Sequence, residues 1–527
     1  MQRQTSLEGF DSAVRRYGDR EAVVAPDGRS FTYEALSGRV DKLAGALEAR
    51  IPGERCAVLA QNRVGVVEAM LAAMRRGRAN VQLSTRGAVG ELAASMETAE
   101  AAGLVYDEAL AETAEALIDR VDPELVVGID GAGGNEAYEE FLAGGDPADA
   151  PDRPRTDPAE SAVFFTSGTT SAPKGILVDQ EQAWLAAVQP VMEMGLDAED
   201  RALVCTPWYH MVTSEAWIVP HLFAGATLVI QPGFEAEATL EAIAAHGITG
   251  LLAVPTQLEV LVETQRDLGV DLRSLEYIRT GGAIVSDRLV GNVNEVFDAD
   301  LINTYGLTEG VGNLTYADPA DQERQPGTIG RSSYLWEVRV VETVDPPEKP
   351  DPEAVVDPGE LGEVIGRSLQ MTDGYLDRPE ATEALFIEDP DADDSAGRTE
   401  WLRTGDVARV EAGGYPIIID RIDNMIVSGG ENIYPEEVQS VLEEHPQVRE
   451  AGVVGVPNET WGEMVAAAVV AEGELSTDAL EAHCLEHDGL ARYKRPRQYT
   501  FVDELPRSPT GTLLRGQVEE LFEAFPS

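Results

Sequence analysis

The segment from Val163 to Gly175 reads Val-Phe-Phe-Thr-Ser-Gly-Thr-Thr-Ser-Ala-Pro-Lys-Gly. It gathers the hydroxyls of Thr166, Ser167, Thr169, Thr170 and Ser171, backbone amides freed by Gly168, and the ammonium of Lys174 directly after an apolar run. Donors collected on a loop in this way cradle an anionic polyphosphate. The pattern is not a Walker loop, in which Gly-Lys-Ser/Thr opens a helix, because Pro173 precedes Lys174 and Gly175-Ile176-Leu177-Val178 begins a second strand. Taken alone, the run also suits a polar hairpin turn. A second segment, Asn303-Thr304-Tyr305-Gly306-Leu307-Thr308-Glu309, follows the apolar Leu301-Ile302. A strand end that offers a ring, a hydroxyl and a carboxylate can stack a base, touch a phosphate and hold Mg²⁺ through oxygen. Upstream, the glycines of Arg279-Thr280-Gly281-Gly282-Ala283 let the backbone approach a flat ring, although Gly-Gly after a strand also makes an ordinary turn. A third segment, Trp401-Leu402-Arg403-Thr404-Gly405-Asp406, puts a carboxylate on a glycine turn, where it can accept both hydroxyls of a ribose or simply close an Asp-containing turn.

These loops need strands to carry them. At ~150 residues per domain, 527 residues form roughly three or four packed units. Helix-period segments (Glu34–Ala49, Val64–Arg75) alternate with short apolar runs (Cys56–Ala60, Val81–Leu83, Gly103–Tyr106), which predicts an α/β fold with a large N-terminal domain of layered subdomains over residues 1–420. Residues 421–527 then form a small α+β domain: a strand at Met425–Ser428, a helix after Tyr434-Pro435-Glu436-Glu437, strands at Ala451–Val456 and Val465–Ala471, and a helix entered through Ser476. The Gly-, Pro- and Asp-rich stretches 131–160 and 345–352 read as surface loops.

The order of these segments, Thr-Ser-Gly-Thr-Thr-x-x-Pro-Lys-Gly, Tyr-Gly-x-Thr-Glu, Gly359-Glu360-Leu361-Gly362-Glu363 with Gly374-Tyr375, then Arg-Thr-Gly-Asp, resembles the adenylate-forming superfamily of acyl-CoA synthetases, peptide-synthetase adenylation domains and luciferases. The resemblance spans nearly the whole chain. It implies a two-step ligation in which a carboxylic acid and ATP give an acyl-adenylate, after which the small C-terminal domain rotates and the thiol of coenzyme A takes the acyl group. By that resemblance Thr166, Ser167, Gly168, Thr169, Thr170 and Lys174 hold the terminal phosphates and Glu309 the Mg²⁺. Gly282, Ala283 and Tyr305 frame adenine beside Asn303 and Thr304, Thr308 touches the α-phosphate, and Asp406 and Arg421 take the ribose. Trp208 and His210, in Pro207-Trp208-Tyr209-His210, line the acid pocket with Gly281 and Gly306, an arrangement closer to fatty and aryl acyl-CoA synthetases than to carrier-protein loaders. Asp423 is the hinge, and Gly429, Gly430, Glu431, Trp461, Tyr493 and Arg495 meet coenzyme A, the last two within the basic run Arg492-Tyr493-Lys494-Arg495-Pro496-Arg497.

Three positions depart from the family pattern. Ser171 stands where glycine is common, Asp179 where a histidine often follows the phosphate loop, and Thr512 where the family carries its catalytic lysine. A threonine brings neither the charge nor the reach to bridge acid and α-phosphate. Thr512 therefore implies either slow adenylation, with Lys174, Mg²⁺ or a cation such as Arg515 or Lys494 carrying more of the charge, or a nucleotide binder without turnover.

Composition narrows the setting. With 94 acidic residues against 40 basic ones the net charge is −54, and only Lys42, Lys174, Lys349 and Lys494 are lysines. Such a surface repels nucleic acid and suits molar salt, where the Debye length falls to about 3 Å. Three scattered cysteines, Cys56, Cys205 and Cys484, argue against a disulfide framework and for the reducing cytoplasm. The start lacks an apolar signal core, and the uncharged stretch 216–234 is broken by prolines, so no membrane span is expected. Oligomeric state is open between monomer and homodimer. Because screening must hold 54 excess negative charges together, dilution below a few tenths molar KCl is expected to unfold or inactivate the protein; an equal melting temperature at roughly 0.1 M and 3 M KCl contradicts this.

Overall fold

A computed structural model describes residues 5–131, 135–150, 158–166, 173–344, 348–389, 398–429, 431–458, 460–487, 490–507 and 513–523. The chain divides into two compact units, one of residues 1–338 and 365–403, the other of 339–364 and 404–527.

The first unit is α/β, as the alternation of periods predicts. Its helices Tyr33–Arg50 and Val64–Arg76 and its strands Arg55–Leu59, Asn80–Gln82 and Ala101–Asp107 coincide with the predicted segments to within one or two residues. One sheet runs in the order Glu136–Ala137, Leu125–Ile129, Ala101–Asp107, Arg55–Leu59, Asn80–Gln82, Glu160–Thr166, Lys174–Asp179. Its last pair is antiparallel, so the two strands bring Thr166 opposite Lys174 at the ends of the phosphate-loop segment. A second sheet places Tyr277–Gly281 parallel to Asp300–Leu307, which in turn pairs antiparallel with Gly312–Ala317. Neighbouring parallel strands ending together create a crevice at their carboxyl ends, the usual ligand position in open α/β sheets. Trp208, Trp217, Tyr33 and Phe10 are fully buried and anchor the largest apolar cluster.

Two glycines are required by close backbone approach. A Cβ on Gly281, whose φ is +151°, would stand 2.2 Å from the Thr304 carbonyl oxygen, and one on Gly306 would stand 2.1 Å from that of Gly312. Asp179, the position where a histidine was expected, is the N-cap of helix Gln180–Met194: its Oδ1 accepts from the amides of Glu181 and Gln182, both at 2.8 Å.

The second unit is α+β. Its sheet joins Glu431–Ile433, Ile426–Ser428, Gly462–Ala471 and Val448–Asn458, with Gln498–Phe501 beside Gly462–Ala471. Helices Pro435–Glu443 and Thr477–Glu486 begin where proline and the Ser476 cap direct, and the two long strands outrun their predicted spans at both ends or at the start. The hairpin of Glu400–Val410 and Pro416–Arg421 sets Asp406 opposite Arg421.

The strand feeding the phosphate loop is fixed by a buried ion pair. Glu160 accepts from Arg55 Nε at 3.0 Å, Arg55 Nη2 at 2.8 Å and the amide of Ala79 at 3.0 Å. Burial works to raise its pKa, yet these donors hold it below the ordinary carboxylate value. Glu160→Ala strands the Arg55 guanidinium and is expected to cost about 3–5 kcal/mol, read as a lowered denaturation midpoint in molar KCl; an unchanged midpoint refutes this anchoring.

Candidate functional site

In the first unit, Lys174, Tyr375 and Glu309 come together from three separate segments. Lys174 Nζ lies 5.0 Å from the centroid of the Tyr375 ring, and Tyr375 Oη donates to Glu309 Oε1 at 2.6 Å. An ammonium over a tyrosine face is attracted by the ring quadrupole, which steadies a long side chain without neutralising its charge. Backbone ties hold the trio. Ile176 bridges to Tyr375, Leu376 donates its amide to the Gly175 carbonyl at 2.8 Å, and Thr372 donates to the Glu309 carbonyl at 2.9 Å. The Tyr375 backbone N–H also donates to Thr382 Oγ1 at 2.9 Å.

Glu309 sits in the short 3₁₀ turn Thr308–Gly310, straight after the strand that ends in Tyr305-Gly306-Leu307. Asn303 and Thr304 lie beneath that strand end with their side chains engaged in the fold: Asn303 Nδ2 donates to the Thr328 carbonyl at 2.8 Å, and Thr304 Oγ1 donates to that of Thr280 at 3.0 Å while accepting from Arg279 at 3.3 Å. Tyr305 packs against the apolar cluster of Leu314, Trp336, Met371, Phe386 and Leu402. Gly281 is buried, whereas Gly282 and Ala283 are exposed, and a Cβ on Gly282 would meet nothing within 4 Å, so there is open space at this turn. Ser167, Gly168, Thr169 and Thr170, with Ser171, lie outside the described residues, as do Gly430 and Thr512.

Glu309 suits Mg²⁺ that arrives on phosphates. Mg²⁺ keeps several waters and takes one or two carboxylates plus substrate oxygens, and the Glu309 carboxylate follows Thr308 in the same turn. Among the described residues no group of three or more His, Cys, Asp or Glu could hold a resident ion.

Trp208 is 1% exposed; its indole N–H donates to the Ala60 carbonyl at 2.7 Å and its amide to Asn62 Oδ1 at 3.0 Å, so the ring serves the core. His210 differs. Burial, with Arg86 adding to it, pushes its pKa down to about 4, and among the described residues its Nε2 has no hydrogen-bond partner.

The second unit carries its own set. Asp406 Oδ1 accepts from Arg421 Nη1 at 3.2 Å, and the Asp406 amide donates to Thr404 Oγ1 at 3.1 Å. Asp423 lies in the next turn, 4.0 Å from Arg421 Nη2. Gly429, with φ at +63°, donates its amide to the Trp461 carbonyl at 2.8 Å, and Glu431 pairs with Ser428 in the adjoining hairpin. Tyr493 is 44% exposed. Of the basic run it is Arg497, which motif matching passed over, whose guanidinium lies 3.7 Å from the Trp461 ring; Arg495 is bound to Glu481 at 3.0 Å. Lys494 pairs with Glu437 at 2.6 Å. Arg515 meets Glu436 at 3.3 Å and Asp420 at 3.5 Å and donates to the Val453 carbonyl. Burial pushes Glu436 up to about 7 although Arg515 opposes it. Arg515 and Lys494, two of the cations expected to carry charge in place of a lysine at 512, are therefore committed to carboxylates.

The AMP-binding enzyme family matches residues 10–376, and the AMP-binding enzyme C-terminal domain matches 437–512. The indoleacetate–CoA ligase of Aromatoleum aromaticum is 33% identical over 506 residues, 95% of each chain. A feruloyl-CoA synthase of Amycolatopsis is 31% identical, covering 99% of this chain and 100% of its own. Among solved structures, the o-succinylbenzoate CoA synthetase of Bacillus subtilis in complex with its acyl-adenylate intermediate is similar with a TM-score of 0.81 and 25% identity, over 98% of this chain and 99% of that one.

Removing the ammonium or the carboxylate of the trio is expected to strike chemistry and spare folding. Lys174→Ala and Glu309→Gln should each lower acyl-adenylate formation by about 10²-fold or more, the loss of one transition-state charge partner, with unfolding midpoints unchanged. Near-parental adenylation by either variant removes that residue from the site.

Proposed function

This chain belongs to the AMP-binding enzyme family, and we propose that it is an AMP-forming acid–CoA ligase acting on an aryl or fatty acid. The arrangement of Lys174, Tyr375 and Glu309 at the end of the phosphate-loop strands carries the reading, because it sets one cation and one oxygen ligand side by side where a triphosphate needs both. In the first step a carboxylate oxygen bonds to the α-phosphorus and the bond to the β-phosphate oxygen breaks, releasing pyrophosphate. In the second the thiolate sulfur bonds to the acyl carbon and AMP leaves with the electron pair.

Lys174, and Thr166 opposite it, bind the terminal phosphates together with Ser167, Gly168, Thr169 and Thr170. Glu309 would hold a Mg²⁺ arriving with the nucleotide, and that ion would supply charge neutralisation on the phosphate oxygens. Gly282, Ala283 and Tyr305 receive adenine, Thr308 the α-phosphate, and Asp406 with Arg421 the ribose. The acyl part enters past His210, Gly281 and Gly306. Residues from 421 onward turn about Asp423 as a mobile domain and present Gly429, Gly430, Glu431 and the Trp461–Arg497 stack, with Tyr493 and Arg495, to coenzyme A. No helix among the described residues is long and apolar enough to cross a membrane. The three cysteines are buried free thiols, which supports a cytoplasmic, reducing setting, and the acidic surface supports a salt-rich one.

A panel of aryl, branched and straight-chain acids with ATP and coenzyme A in molar KCl, assayed for pyrophosphate and acyl-CoA, tests this. Pyrophosphate without acyl-CoA from any acid contradicts the thiol acceptor, and neither product contradicts the ligase.

The pairing of Arg515 and Lys494 with carboxylates favours slow adenylation as the consequence of Thr512. Thr512→Lys should accelerate ATP–pyrophosphate exchange by roughly 10²–10³, the worth of one charge-assisted contact, while thioester formation from supplied acyl-adenylate stays constant. Equal exchange by parent and variant means that another cation already stabilises the transition state; no exchange by either favours a nucleotide binder without turnover.

A further inference from the structure

The π-helical turn Ser214–Ile218 lies four residues beyond His210, and all five of its residues are buried. Within the turn and the residues flanking it, the polar side chains other than Glu215 are bonded. Thr213 donates to Thr206 at 3.0 Å, Ser214 to the His210 carbonyl at 3.3 Å and Trp217 to the Leu203 carbonyl at 3.0 Å, while His221 meets both the Trp217 carbonyl at 2.6 Å and Tyr277 Oη at 2.9 Å. Glu215 is wholly buried, and among the described residues neither carboxyl oxygen has a hydrogen-bond partner. Burial alone pushes its pKa up to about 8. An unpaired buried carboxyl costs stability that an apolar residue of similar size avoids, so the fold itself has no use for it. π-turns of one extra residue are frequent at functional sites.

The surroundings say what it meets. Arg279 donates to the carbonyl of Ala216, the next residue, and Arg279 stands two positions before Gly281 on its strand. The turn also packs on strand Gly312–Ala317, which begins just after Glu309, and on helix Gln180–Met194, whose Gln189 likewise leaves Oε1 unpartnered. The turn therefore lies against Arg279 of the strand that ends at Gly281 and against the strand that follows Glu309. His210 Nε2, unpartnered too, precedes it.

We propose that Glu215 is a specificity-determining residue that hydrogen-bonds a hydroxyl or N–H group on the acyl part of the acid, so that the substrate is a donor-bearing carboxylic acid rather than a plain hydrocarbon one. The proposal rests on the acid–CoA ligase reading above. A site built to satisfy a substrate donor rejects the analogue lacking it, because the buried carboxyl is then left unpaired.

Matched acids test it in the full-length protein with ATP and coenzyme A in molar KCl: para-hydroxyphenylpropanoate against phenylpropanoate, and omega-hydroxyoctanoate against nonanoate. The parent should favour the donor-bearing member of at least one pair by about tenfold or more in kcat/KM. Glu215→Leu should abolish or invert that preference while melting at or above the parental temperature, and Glu215→Gln should retain part of it. Equal use of both members by the parent, or a preference that survives in Glu215→Leu, overturns the proposal and leaves the ligase standing. Acyl-CoA from none of these acids nor from the wider panel overturns the ligase reading, and this proposal with it.

Discussion

A protein that carries 54 more acids than bases must still hold a triphosphate beside a carboxylate, and this constraint organises the site. Two anions cannot be brought together inside an anionic surface without a cation held in place before they arrive. On the reading proposed above, Lys174 is that cation. It is one of four lysines, and it stands over the Tyr375 ring where the attraction positions it without consuming its charge. Had a carboxylate done the same work, the ammonium would already be neutralised when phosphate approached. Tyr375 thus holds Lys174 by its face and Glu309 by its hydroxyl, separating the two charges that would otherwise pair with each other.

Elsewhere cations are spent on structure. Arg55 binds Glu160, Arg76 binds Glu48 within the core at 3.1 Å, and Arg515 ties Asp420 to Glu436 in the second unit. Removing one partner of such a buried pair leaves a charge in low dielectric, so these arginines are not available for recruitment by substrate. Releasing Arg515 would leave the Asp420 and Glu436 carboxylates without their shared cation.

Much of this was legible in the residues, because strand–loop–strand alternation and glycine placement are local properties. The strands flanking the phosphate loop, the strand leading to Thr308-Glu309, and the helices and strands from Ile426 to Glu486 follow from period and turn chemistry, whereas the hairpin that sets Asp406 opposite Arg421 was not foreseen. What was not legible is partnership across the chain. Tyr375 stands 201 positions from Lys174, and nothing local to Gly374-Tyr375 says that its ring meets an ammonium. Trp461 was found by motif, but its partner Arg497 was hidden among four cations of similar spacing. Asp179 looked like a departure until the following helix showed it to be a cap.

Glu215 marks the sharper limit. Local sequence gives no reason to single out one acid among 94, since an exposed glutamate and a buried unpaired one have the same neighbours in the chain. Only the packing of helix Gln180–Met194 and strand Gly312–Ala317 around the π-turn removes it from water, and only the bonding of Thr213, Ser214, Trp217 and His221 to other groups leaves it without company. The same polar atoms that fix a fold by being satisfied identify a binding surface by being left over. The candidate phosphate binders are recognisable by type, whereas the residue proposed to read the acyl group is recognisable by what the fold declines to give it.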